Sequence, residues 1–138
     1  IKQMRKVQGQ STSNPCSISQ AAAVAALTDS QLCVERMCDE FRKRHDWLVP
    51  ALNALPGLAC APGEGAFYVF IDASRAIERL GLDGDASLCE FLLEETGVAL
   101  VPGTAFGAPG HVRISFACGL DTLKDAVERL RRVLPSDD

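Results

Sequence analysis

Several things are scarce in this chain of 138 residues, and each scarcity narrows what it can be. No apolar run approaches the roughly 18 residues that a membrane span requires; the alanine-rich run AAAVAAL at 21–27 is far too short. Clustered basic residues are missing too. The net charge is −4, and the densest basic stretch, RKRHDW at 42–47, stands beside CDE inside a helical pattern, so it reads as a solvated helix face. A nucleic-acid partner is therefore not expected, because neutralising phosphates needs grouped Lys and Arg. There are only two histidines, His45 and His111, and neither has a partner at metal-ligand spacing or a catalytic Ser or Cys motif around it. His45 reads as a helix-surface residue and His111 as the start of a strand.

Cysteine is modest in number. The six residues Cys16, Cys33, Cys38, Cys60, Cys89 and Cys118 fall well below the roughly 8–10% of a small disulfide scaffold. Cys33 and Cys38 lie five apart with no second pair, which is not zinc spacing. Free thiols in a reducing cytoplasm, packed as small hydrophobes, are the expectation. Nothing marks Cys118, just past a strand, as a nucleophile. No secretory leader pattern opens the chain, which starts on Ile1 and reads as a piece of something longer.

With 47% hydrophobic and 23% charged residues, what is present is a globular composition of about one domain. Residues 1–15 are polar and end in QGQSTSNP, which is loop chemistry, with Pro15 suited to a helix start. Ser17 to Leu27 predicts a helix. TDS at 28–30 offers caps for a second, long helix carrying Met37, Phe41, Leu48, Leu52 and Leu55 on one stripe, with Pro50 as a bend point and LPGL at 55–58 as its end. Ala66 to Ile71 is aromatic and β-branched, hence a strand. GLDGDAS at 81–87 leads into a helix near 85–96, with Ser87 and Glu90 as a capping box and Gly97 as C-terminal cap. VALVPG at 98–103 predicts a short buried strand, and Leu120, Leu123, Val127, Leu130 and Leu134 mark a final helix. The order is helix, long helix, strand, helix, strand, strand, helix: an α/β domain with a short sheet covered by helices.

Two apparent ligand motifs fail on context. Gly63-Glu64-Gly65 precedes a strand, whereas a phosphate-binding glycine loop follows one and opens a helix. DGDAS at 83–87 has Leu88 at the sixth loop position, where a calcium loop needs Gly for its bend. It reads as a helix N-cap.

One residue stands out. In GAPGHVRISFA at 107–117, Val112, Ile114 and Phe116 alternate with His111, Arg113, Ser115 and Ala117. One face is made for a core; the other is small and polar, with a single permanent cation. Arg113 reads either as half of a structural ion pair or as a bidentate grip on a ligand carboxylate. Its small neighbours and the glycine-rich loop VPGTAFGAPG before it favour an open cleft.

QSTSNPCSISQAAAVAAL, GAFYVFID, GVALVPGTAFG and GHVRISFA, in this order, resemble class I/II pyridoxal-phosphate aminotransferases, nearest to the aspartate/prephenate group. The resemblance runs over essentially the whole chain. It implies a C-terminal portion of a fold-type I enzyme: residues 1–30 as an interface and large-domain end segment, residues 31–138 as the small domain with the long connecting helix. It implies that Arg113 binds the α-carboxylate of the substrate and that Phe67 lines the same cleft, with a core or interface role as its alternative. It further implies a cytoplasmic homodimer acting on amino acids and 2-oxo acids, with pyridoxal phosphate held mainly by another part of the protein. The family's Schiff-base lysine sits in a Ser-x-Ser-Lys context, and none of Lys2, Lys6, Lys43 and Lys124 has it. No catalytic, cofactor-binding or metal-binding residue is therefore expected in this chain, and the chain alone is expected to be inactive. Some dicarboxylate-specific members carry an arginine just before Ser-Asn-Pro; here Gln8, Gly9 and Gln10 occupy the neighbourhood, which gives no support for a second acid. The alternatives are a stand-alone α/β domain that binds or senses acidic metabolites through Arg113, or a structural interaction module. A Ser-x-Ser-Lys stretch upstream of Ile1 separates the first reading from both.

Overall fold

The computed structural model describes residues 1–134. It divides into two compact units, Ile1–Glu35 and a second from Arg36 onward. The expected domain limit of 138 includes positions 135–138, which lie outside the described residues.

The first unit holds α1 (Lys2–Ser11), α2 (Ser17–Thr28) and the first turn of α3 (Leu32–Asn53). The helix in Ser17–Leu27 is present as expected. The polar stretch before it is not loop throughout, because Lys2–Ser11 forms a helical run. Its Lys, Gln, Met and Arg are strong helix formers, and their propensity prevails over a polar composition that periodicity alone assigns to a loop. Every residue in this unit is exposed.

The second unit continues α3 and adds β1 (Ala59–Cys60), β2 (Tyr68–Asp72), α4 (Ser74–Leu80), α5 (Asp85–Thr96), β3 (Val101–Pro102), a 3₁₀ turn at Gly103–Phe106, β4 (His111–Ser115) and α6 (Leu120–Val133). The sheet runs β1-β2-β4-β3, antiparallel throughout. Two elements escaped the sequence pattern. β1 is two residues long, too short for an alternation to register, and α4 is a seven-residue helix within a stretch that reads as a connection. β3 covers only the end of the VALVPG run.

Alternation in β2 and β4 directs Val69, Ile71, Val112 and Ile114 inward, with Phe116 following, into one cluster with Leu48 and Leu52 of α3, Leu88 and Leu92 of α5, and Leu123, Val127 and Leu130 of α6. Pro50 lies on the exposed side of α3, and the helix runs on through it to Asn53. Of the expected stripe, Leu48, Leu52 and Leu55 are buried and Phe41 is half-buried, while Met37 is exposed. Asn53 ties the helix end to the sheet edge: its amide donates to the Cys60 carbonyl at 2.9 Å, and its carbonyl accepts the Cys60 N–H at 2.8 Å. Gly97 closes α5 in the left-handed conformation, as the sequence predicts. The expected capping box at Ser87 and Glu90 does not form: α5 starts earlier, at Asp85, with Gly84 before it.

Phe116 is 1% exposed and meets Phe41 edge-to-face at 5.9 Å. Phe116→Ala is expected to cost about 3–5 kcal/mol through lost burial and the cavity left behind. Denaturant unfolding checks this. A loss under about 1 kcal/mol counts against this packing.

Candidate functional site

The two central strands place the site. Register pairs Tyr68 with Ser115, Phe70 with Arg113 and Asp72 with His111. Partners across a ladder share a face, so these six residues form the side of the sheet opposite the core. Arg113 is half-buried there. Its guanidinium carbon lies 5.0 Å from the centre of the Tyr68 ring and 4.8 Å from that of Phe106. Phe106 also meets Phe70 edge-on at 6.2 Å, and Phe70 stacks on His111 at 5.2 Å. Aromatic faces attract the cation without using its N–H donors. Among the described residues, no carboxylate pairs with Arg113 and no carbonyl accepts from it. The geometry is a cation held by rings with its planar donor edge unspent.

Phe67, the other expected site residue, stands just before β2 and is half-exposed. Its ring meets Tyr68 edge-on at 5.9 Å, and its carbonyl accepts the Phe116 N–H at 2.8 Å. The rings that reach the guanidinium are Tyr68 and Phe106. Both stand in the motifs that carry the family resemblance, Tyr68 in GAFYVFID and Phe106 in GVALVPGTAFG. Tyr68 follows from the alternation of β2 once the strand pairing is known; Phe106 has no local signal, because a loop has no period.

The loop carrying Phe106 is tightly specified. A Cβ on Gly103 would lie 2.6 Å from the His111 carbonyl oxygen and closer still to that of Ala108, so only glycine fits. Asp85, at the start of α5 and 4% exposed, holds both ends of the loop. Its carboxylate accepts the Thr104 N–H and the Thr104 hydroxyl, each at 2.7 Å, and the Gly110 N–H at 3.3 Å. The Thr104 N–H, with help from the Thr104 hydroxyl and the Gly110 N–H, outweighs burial and pulls the carboxyl down to about 2. It is ionised at neutral pH. The sequence reading of DGDAS at 83–87 as a helix N-cap missed this, since the partners of Asp85 lie 19 and 25 residues away.

The remaining candidates lie elsewhere. His45 is not a plain surface residue: it is half-buried, meets Phe116 edge-on at 6.0 Å, and its Nε2 accepts the Gly63 N–H at 3.1 Å. The proton is then on Nδ1, which donates to Asp46 at 3.0 Å. Gly63-Glu64-Gly65 thus serves as a turn tied to α3. Cys60 and Cys89 are buried free thiols, and burial raises the pKa of both.

The four lysines stand on helix surfaces. Lys2 and Lys6 stand on exposed α1. Lys43 pairs with Glu40 at 2.6 Å, and this bond raises its pKa, the reverse of what a Schiff-base amine needs. Lys124, also exposed, lies 3.9 Å from Asp121.

The family profile for aminotransferases of class I and II matches residues 1–130. The chain is 45% identical to the aspartate/prephenate aminotransferase of Nitrosomonas europaea, over 97% of this chain and 35% of that protein. Its fold superposes on the aspartate aminotransferase of Rhizobium meliloti with a TM-score of 0.83 at 40% identity, covering 96% of this chain and 34% of the other. The same TM-score, at 43% identity and the same coverage, relates it to the Thermus thermophilus aspartate aminotransferase solved with maleate. The chain spans about a third of the length of the curated relatives it matches.

Proposed function

From the premise that this chain belongs to the class I and II aminotransferase family, we propose that it is the C-terminal part of an enzyme that moves an amino group between an amino acid and a 2-oxo acid. Arg113 is the residue of this chain that binds substrate. The observation that carries this reading is its unspent donor edge: a guanidinium flanked by Tyr68 and Phe106 with no carboxylate of the described chain upon it. Two parallel N–H donors match the two oxygens of a carboxylate, and the fit fixes the substrate's orientation as well as its position. Both partners of a transamination, amino acid and 2-oxo acid, present such a group beside the reacting carbon.

Pyridoxal phosphate supplies the electron sink for this chemistry when bound. Its lysine anchor belongs to the part of the protein outside this chain, since the four lysines here are exposed or ion-paired. Relatives named for aspartate, one of them solved with the dicarboxylate maleate, support an acidic amino acid as donor. Residues 1–30 are an interface segment of a homodimer in this reading, with Ile18, Val24 and Leu27 exposed as contact residues. Phe67 lines the cleft beside Tyr68. A cytoplasmic location belongs to the same family reading. Among the described residues no helix is long and apolar enough to cross a membrane.

The test is made on the full-length protein. Transamination of an amino acid is expected to be at least about 100-fold more efficient, as kcat/KM, than that of its α-amide, which offers the guanidinium no carboxylate. Equal turnover of acid and amide, or no amino transfer at all, overturns the reading.

A further inference from the structure

Asp85 is the most buried acid among the described residues, and carboxylate binding by Arg113 makes no direct use of it. Its three hydrogen bonds go to the two ends of one loop: Thr104, in the 3₁₀ turn that opens it, and Gly110. That loop also carries Phe106, whose ring lies 4.8 Å from the Arg113 guanidinium. Other contacts make the loop's path selective. Gly103 has no room for a side chain, and Gly110 takes a positive φ of 78° while its carbonyl accepts the Ala73 N–H at 2.9 Å. The 3₁₀ turn at Gly103–Phe106 is only four residues long and has no buried apolar side chain to anchor it. Asp85 ties this turn to the start of α5 through its carboxylate.

We propose that Asp85 is a positioning residue for the carboxylate site: by clamping Thr104 and Gly110 it sets the 103–110 loop, and through Phe106 the orientation of the Arg113 guanidinium. This rests on the reading of Arg113 as the carboxylate binder. The physical case is that a ring over a cation restricts the plane of the guanidinium, and that plane decides whether two donors meet one carboxylate together. A carboxylate accepts from all three partners at once. An asparagine at the same position places an NH₂ against N–H donors, so at least one bond becomes a repulsive contact. The turn is then released at one end.

The experiment uses the full-length protein and maleate as the probe, a dicarboxylate without a reacting amine, with binding read by calorimetry. Amide hydrogen exchange at Thr104 and Gly110 is followed in parallel. Asp85→Asn is expected to weaken maleate on the order of 10- to 100-fold, in line with the cost of misplacing a binding group by about an ångström. In turnover the loss should fall on KM for the amino acid more than on kcat. Exchange at Thr104 and Gly110 should accelerate while α5 stays protected. Phe106→Ala should weaken maleate comparably, and the double variant should be weaker than either single by much less than the product of the two effects, because both act through one contact. Thr104→Val, which removes only the hydroxyl donor, gives a milder loss and serves if Asp85→Asn does not fold. If Asp85→Asn and Thr104→Val bind maleate within twofold of wild type while Arg113→Leu binds it far more weakly, Asp85 only stabilises the fold and the proposal fails. Fully multiplicative losses in the double variant also overturn it. If Arg113→Leu itself binds maleate as tightly as wild type, the carboxylate reading falls, and the proposal with it.

Discussion

Arg113→Leu in the full-length protein is expected to lower kcat/KM by roughly 30- to several thousand-fold. Removing one member of a buried, hydrogen-bonded charge pair typically costs about 2–5 kcal/mol, and each 1.4 kcal/mol is about tenfold. The guanidinium is half-buried between aromatic rings, so in the proposed reading water replaces it poorly and a substrate carboxylate is left facing Tyr68 and Phe106. Arg113→Lys should fall between leucine and wild type. It keeps the charge but offers a point donor where the site is shaped for a plane, and it stacks less well on both rings. The folded state should hardly change. Among the described residues Arg113 has no carboxylate to leave unpaired, so its removal orphans no acid there. Steady-state kinetics and thermal melting on the three proteins check this. A variant that loses several degrees of melting temperature and keeps its affinity for amino acids points instead to a structural arginine.

The second large effect concerns the chain by itself. Residues 1–35, expressed as part of this 138-residue chain, should show amide exchange close to that of an unfolded peptide, while residues 36–134 are protected and melt in one transition. α1 has ten residues and α2 twelve, lengths at which an isolated helix is marginal in water. Neither helix buries a residue: Ile18, Val24 and Leu27 are 78%, 60% and 82% exposed. Without burial there is nothing to offset the entropy of ordering the backbone. The second unit has its own core, with Leu48, Leu52, Leu88 and Phe116 at 0–1% exposure. The same exposed residues make the chain prone to self-association at high concentration. Strong protection of α1 and α2 in a dilute, monodisperse monomer would contradict this expectation.

The alternation of HVRISFA by itself determined that Val112, Ile114 and Phe116 enter a core and that Arg113 stands on the other side. It did so because a strand's period of two is local and strict. In the same way the spacing of Leu123, Val127 and Leu130 marked α6, and Gly97 marked the end of α5, since helical phase and left-handed caps are properties of a few neighbouring residues. The family resemblance was legible for a similar reason: its motifs are short, contiguous strings. Tertiary structure alone decided what surrounds Arg113. Phe106 reaches it from a loop without periodicity, Tyr68 through the pairing of β2 with β4, and Asp85 holds that loop from 19 and 25 residues away. Local pattern carries no information on such contacts, because they depend on where two distant segments are brought when the core closes. The helix at Lys2–Ser11 and the one at Ser74–Leu80 went unread for a different reason: neither displays a stripe of buried residues long enough for periodicity to register.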